Sequence, residues 1–255
     1  MPTLARMTAR SVVLSVLLGA HPAWATASEL IRLTADFDIK EPTVRVALTR
    51  MVSAGDLVRS EDGYRLSDRL LGRQRRQDDA INPRLRTWDG AWRTLVITSI
   101  GTDARTRAVL RTILQDNRFG ELRVGVWLRP DNLEAVLPDE VLQRGRELHS
   151  RDDDPADLAA RLWDLGGWVH VGRALIDEMS SAADVPGQFV IAAAMVRHLL
   201  TDPVLPNELL PDDWPGAALR EAYNTFATEL ISRRDSERLM EAKCRVACGS
   251  KRTVR

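Results

Sequence analysis

The stretch TARSVVLSVLLGAHPAWATASEL, residues 8–30, decides how the first part of the chain is read. Basic Arg6 and Arg10 flank the start of a mostly apolar run from Ser11 to Ala20, and Ala25-Thr26-Ala27 supplies an A-x-A pattern. Those are the parts of a secretory signal peptide. The same residues also suit a helix, because Val12, Val13, Val16 and Leu17 fall close to helical spacing and His21-Pro22 breaks the segment. In the first case the segment is removed from an exported protein. In the second it covers the core of a folded domain.

The residues that follow favour the second. TASELIRLTADFDI, 26–39, reads as a short helix that Thr26 or Ser28 can cap, with Leu30, Ile31 and Leu33 on its inner face. KEPTVRVALTRMVSAGDL, 40–57, reads as another. Pro42 suits its first turn, where a missing N–H costs nothing, and Gly55 can end it in the left-handed conformation. Val44, Leu48 and Met51, helped by Ala47, form one apolar stripe on it. That stripe needs a cover, and Val12, Val16 and Leu17 provide one. Cleavage after Ala27 would leave it in water. Residues 8–20 are therefore expected to be the first helix. Two strand-like pieces come next, Leu57–Arg59 and Tyr64–Leu66, joined through Asp62-Gly63, a strong hairpin signal. Three helices and a hairpin in this order predict a winged helix-turn-helix over residues 1–72.

GRQRRQDD, 72–79, is polar and basic, and residues 73–87 read as a linker. WRTLVITSI predicts a strand, DARTRAVLRTILQDN an amphipathic helix and ELRVGVWLRP a further strand, so 88–150 reads as a small α+β domain. In residues 151–240, Asp154 and Pro155 open a helix, FVIAAAMVRHLL and ALREAYNTFATELISRR supply others, and the proline-rich TDPVLPNELLPDDWPG connects them. Residues 241–255 read as a tail. The expected class is thus α+β and multidomain.

Composition narrows the function. Apolar residues are 44% and charged residues 28%, and no run of about 18 apolar residues predicts a membrane span. The net charge is zero, yet residues 1–86 carry 14 Lys and Arg against 10 Asp and Glu, while the remainder carries 22 against 26. A mildly basic first part suits an anionic partner. Cys244 and Cys248 stand four apart with no further Cys or His nearby, a poor zinc or disulfide pattern that suits free thiols in a cytoplasmic protein. The four histidines, His21, His149, His170 and His198, are scattered. HExxH, P-loop, GxGxxG and GxSxG patterns are absent from the sequence. Asp152-Asp153-Asp154 and Asp212-Asp213 read as a capping loop and a turn rather than metal sites. No cofactor or metal is expected, and no enzymatic activity.

Beside the stripe on 42–54, Thr43, Arg45, Thr49 and Arg50 face outward. Arginine can pair with guanine edges or phosphates, and threonine can contact a phosphate or a thymine methyl. Arg59 and Arg65 in the hairpin could reach the backbone, although Glu61 and Asp62 at its tip oppose phosphate. Arg73, Arg75 and Arg76 could add non-specific attraction. An ordinary solvated helix face would carry the same residues.

Three stretches together resemble the PaaX family of bacterial repressors of phenylacetic acid catabolism: ELIRLTADFDIKEPTVRVALTRMVSAGDLV, then WDGAWRTLVITSI with GVWLRP, and DPVLPNELLPDDWPG. The resemblance implies a winged helix, a central ferredoxin-like domain and a helical C-terminal domain. It also implies a homodimer on double-stranded palindromic operator DNA that an acyl-CoA, such as phenylacetyl-CoA, releases. An anionic CoA calls for arginines, so Arg93, Arg129 and Arg197 are the candidate effector contacts, with His198 and Trp214 as neighbours. The wing VRSEDGYRL is more acidic than the family pattern. The central part also resembles the small CRISPR adaptation nuclease, which suggests a metal-dependent nuclease as the alternative function. That family carries a metal-binding aspartate at the end of its first strand, where this chain has Ser99 and Ile100. Without the carboxylate a divalent ion loses its main oxygen ligand.

Overall fold

Thr26 begins the second helix by closing a reciprocal cap. Its hydroxyl accepts from the backbone N–H of Glu29 at 3.2 Å, and the Glu29 carboxylate accepts from the Thr26 N–H at 2.8 Å. This and the other elements come from a computed structural model that describes residues 7–99, 103–134 and 136–249, with side chains described through Ser232. The fold is mixed α+β, with helices and two small antiparallel sheets. The chain forms two compact units, residues 1–76, 177–194 and 220–255 in one, and residues 77–176 and 195–219 in the other. Residues 151–240, expected as one helical domain, are therefore shared between the units.

In the first unit, helix α1 (Ala9–Leu18) is capped by Thr8 and buries Val12, Val13 and Leu17 completely. Helix α2 (Ala27–Ala35) and helix α3 (Glu41–Ser53) pack with it, and Val44, Leu48 and Met51 of α3 are at most 1% exposed. Each such side chain contributes about 1.5–3 kcal/mol by leaving water. The end of α3 follows the expected pattern. Gly55 takes φ +71°, its N–H donates to Val52 O, and the Asp56 N–H donates to Met51 O, which is a Schellman arrangement. Strands β2 (Leu57–Arg59) and β3 (Tyr64–Leu66) form the expected hairpin.

A two-residue strand, β1 (Trp24–Ala25), pairs with β3 and makes the sheet three-stranded in the order β1-β3-β2. It lies in the segment read from sequence as a connection. Its pairing also explains Gly63. A Cβ there would stand 2.4 Å from Ala25 O, so the position needs hydrogen where other residues carry a side chain. The hairpin dipeptide thus owes its glycine to close approach to β1.

Residues 73–81 are not linker. They belong to helix α4 (Asp68–Ile81). Gln74 is buried, and its Nε2 donates towards three carbonyls at the end of α1: Ala20 at 2.9 Å, Leu18 at 3.0 Å and Leu17 at 3.4 Å. The polar composition that suggested a linker contains one glutamine that satisfies orphan carbonyls of a neighbouring helix.

In the second unit, strand β4 (Trp92–Ile97) leads to helix α5 (Ala104–Asp116), strand β5 (Gly120–Arg123), strand β6 (Val126–Pro130), the short helix α6 (Asp139–Leu142) and strand β7 (Gly145–Ser150). The sheet is antiparallel in the order β5-β6-β4-β7. ELRVGVWLRP, expected as one strand, is a hairpin. Gly125 at φ +80° turns the chain, and β5 then pairs with β6. Leu95, Leu110, Leu114, Phe119, Trp127, Leu137 and Val141 fill the core on the α5 face. Trp92, Leu128, Leu158 and Leu205 fill a core on the other face.

Helix α7 (Pro155–Leu162) begins as expected, with Asp154 accepting from the Asp157 N–H at 3.1 Å and Pro155 in the first turn. Helices α8 (Leu165–Ser181), α9 (Val185–Leu199) and α10 (Gly216–Gly249) follow, so residues 241–249, expected as part of a tail, continue α10 with Cys244 and Cys248 on it. Asp56→Ala and Gln74→Leu test two buried polar anchors of the first unit, but Gln74 separates the interpretations. In urea denaturation Gln74→Leu should cost about 1–3 kcal/mol, because the Leu18 and Ala20 carbonyls lose a buried donor. In a solvated linker the change would be silent.

Candidate nucleic-acid interface

The outward face of α3 exists because the inward face is sunk. With Val44, Leu48 and Met51 fixed inside, the helical period leaves Thr43, Arg45, Val46, Thr49 and Arg50 exposed together. Arg45 is held by Glu41 one turn earlier, its Nη2 lying 2.7 Å from the carboxylate. Thr49 donates its hydroxyl to the Arg45 carbonyl at 3.0 Å. Thr43, Val46 and Arg50 also line a groove of about 610 Å3, whose opposite wall is the start of α1.

Asp56 anchors this region. It is only 2% exposed and accepts from Arg10 at 2.8 Å and from Arg69 at 2.5 Å. A carboxylate between two guanidiniums ties the start of α1, the end of α3 and α4 together. Arg59 and Arg65 are both exposed on the β2–β3 hairpin but on opposite faces, since Arg65 pairs with Val58 and Arg59 with Tyr64, and Glu61 and Asp62 are exposed at its tip. Arg73, Arg75 and Arg76 are exposed on α4.

The five residues expected around an effector all fall in the second unit but not in one place. Arg93 and Arg129 are direct cross-strand partners on β4 and β6. Arg93 pairs with Glu147, and Arg129 is 1% exposed. His198 and Trp214 stack on opposite sides of a residue that sequence reasoning passed over, Trp168. The ring centroids lie 4.3 Å and 4.1 Å from it, with interplanar angles of 22° and 12°. Arg197 is exposed on α9. Nothing in the local sequence around Trp168 marks it, since its partners come from 30 and 46 residues downstream.

The His198 Nε2 lies 3.0 Å from the Trp168 carbonyl, which only accepts, so this nitrogen carries the proton. Burial holds the His198 pKa below its ordinary value, against the opposing effects of that hydrogen bond and of Asp202. Asp152 and Asp154 are used in the cap of α7, and Asp213 pairs with Arg173 at 2.6 Å. Among the described residues no three His, Cys, Asp or Glu are placed to hold a metal ion, and no helix is long and apolar enough to cross a membrane. Ser99 lies just beyond β4, and Ile100 lies outside the described residues.

Comparison with known proteins bears on most of the chain. Residues 8–70 match the family described as PaaX-like protein, residues 85–149 the PaaX protein central Cas2-like domain, and residues 173–241 the PaaX-like protein C-terminal domain. The chain belongs to the PaaX family. A curated relative, the transcriptional repressor PaaX of Escherichia coli (strain K12), is 30% identical over 212 residues, which cover 71% of this chain and 66% of that protein. The chain therefore spans just under two thirds of the relative's length. A solved structure similar to this chain is that of the uncharacterized protein Rv0674 from Mycobacterium tuberculosis, 69% identical, with a TM-score of 0.81 over 92% of this chain and 99% of that one.

The His198 environment has a consequence for stability. The folded chain favours the neutral ring and the unfolded chain takes up the proton first. Stability should therefore fall as the pH drops below the ordinary value of 6.5. His198→Phe keeps a flat ring in the stack and removes the titration. Its melting temperature should change less than the wild type's between about pH 7.5 and about pH 5.5.

Proposed function

We propose that this PaaX-family chain is a DNA-binding transcriptional repressor. The observation that carries the proposal is the face of α3: Thr43, Arg45, Thr49 and Arg50 exposed together over a fully buried stripe, in a chain whose curated relative is a transcriptional repressor. In this reading α1, α2 and α3 with the β1-β3-β2 sheet form a winged helix-turn-helix, and α3 enters the major groove. Arg59 and Arg65 on the wing meet the phosphate backbone, as do Arg73, Arg75 and Arg76 without sequence preference.

The order β-α-β-β-α-β and the antiparallel sheet β5-β6-β4-β7 support a ferredoxin-like central domain. The functional form is a cytoplasmic homodimer on a palindromic operator. Its effector is an acyl-CoA, phenylacetyl-CoA being the first to try, and its candidate contacts are the Arg93–Arg129 pair on the sheet, Arg197 on α9, and His198 and Trp214 of the Trp168 stack. The repressor controls a catabolic operon, and the effector lowers operator occupancy by binding the DNA-incompetent arrangement more tightly.

Gel shift on the DNA upstream of the gene tests this. Arg45→Ala with Arg50→Ala should weaken binding about tenfold or more, since one base contact is worth roughly 1–3 kcal/mol. Phenylacetyl-CoA should release the wild-type complex. Undiminished binding by the double variant would remove α3 from the interface. Mg²⁺-dependent cleavage of nucleic acid by that variant would instead support the nuclease alternative.

A further inference from the structure

Arg129 is the most deeply buried charged side chain of the second unit that has donors to spare. It is 1% exposed, its Nη2 donates to the Leu133 carbonyl at 3.1 Å, and its Nε and Nη1 are buried without a hydrogen-bond partner. The Phe119 ring lies 5.5 Å from the guanidinium carbon. A ring takes the face of the cation and cannot accept both in-plane N–H groups. Buried polar groups are almost always satisfied, so two idle donors on one buried guanidinium ask for an acceptor.

Charge points the same way. Arg93 is its cross-strand neighbour and pairs with Glu147. Arg86 shares the Leu133 carbonyl with Arg129 and pairs with Asp131 at 2.7 Å. His149 stands 3.6 Å from the same Asp131. Among the described residues three guanidiniums thus share two carboxylates, and Arg129 is the one of the three without a direct ion pair. Burial first, and Arg93 second, push its pKa down to about 10 against the pull of the Asp131 and Glu147 carboxylates, so the charge persists at neutral pH with no carboxylate of its own in contact. Arg86, Asp131 and His149 line a polar cleft of about 690 Å3. Arg129 does not line this cleft itself and is linked to it through the Leu133 carbonyl that it shares with Arg86.

We infer that Arg129, backed by Arg93 and Arg86, is the seat of a small oxyanion, a phosphate or carboxylate group that enters from this cleft. The group is either a free anion or the phosphate of a larger ligand. The second case narrows the effector proposal above from five residues to one cluster and leaves His198 and Trp214 outside it. Anion binding is measured without DNA, so its failure and the failure of operator binding are separate results.

The test is thermal unfolding of the full chain with inorganic phosphate, with coenzyme A and with phenylacetyl-CoA, each against chloride at matched ionic strength. A ligand selective for the folded state raises the melting temperature. The expected result is a rise with phosphate or with the CoA compounds that Arg129→Met abolishes. A response to phosphate itself identifies a free-anion seat, and a response to the CoA compounds alone identifies a phosphate-ester seat. Arg129→Met could fail to fold, so Asp131→Asn is the second variant. Removing the competing carboxylate should tighten anion binding severalfold, whereas a purely structural role for the cluster would not. Equal melting in all matched salts would overturn the inference, as would an undiminished response in Arg129→Met or unchanged affinity in Asp131→Asn.

Discussion

Everything in the first unit depends on one act of burial. Val44, Leu48 and Met51 of α3 are sealed by α1 and α2, and a helix has only one period with which to do this. Once these three side chains point inward, the azimuth of every other residue on α3 is fixed. Arg45 and Arg50 cannot turn away from solvent without tearing the core open. The exposed face is therefore as rigid as the apolar stripe behind it, which suits a surface that must match a fixed partner.

Arginine serves three different purposes along this chain. On α3, and at Arg73, Arg75 and Arg76 of α4, it is solvated, with Arg45 loosely held by a neighbour one turn away, an arrangement worth only a few tenths of a kcal/mol that a stronger anion can exchange. Around Asp56 it is structural: Arg10 and Arg69 neutralise a carboxylate that could not be buried alone. On the central sheet it is under-partnered, as Arg129 illustrates. Residue type alone distinguishes none of these uses. Depth and the identity of the nearest oxygen do.

That difference also explains what could be read from sequence. Helices α1, α2 and α3 follow from the spacing of valine and leucine, and their caps follow from Thr26, Pro42 and Gly55, because periodicity and capping are local. The exposed residues of α3 were legible for the same reason, being the complement of the stripe. Strand β1 was not, since two residues carry no period and pair only with a partner 40 positions away. Helix α4 was hidden by its polar composition, its one inward glutamine answering to carbonyls more than 50 residues upstream. The hairpin β5–β6 was hidden because an apolar run broken by one glycine looks continuous until strands pair. The Trp168 stack and the isolation of Arg129 are likewise long-range facts, and no spacing rule reaches them.

Gly63 shows how narrow some of these margins are. With Ala25 O pressed against it, the position tolerates no atom beyond hydrogen. A single methyl group there would wedge β1 away from β3 and free the segment that joins α1 to α2. The helix that roofs the core and the hairpin beside it would then be joined only through side chains. One missing carbon keeps two otherwise independent pieces of backbone knitted into a single fabric.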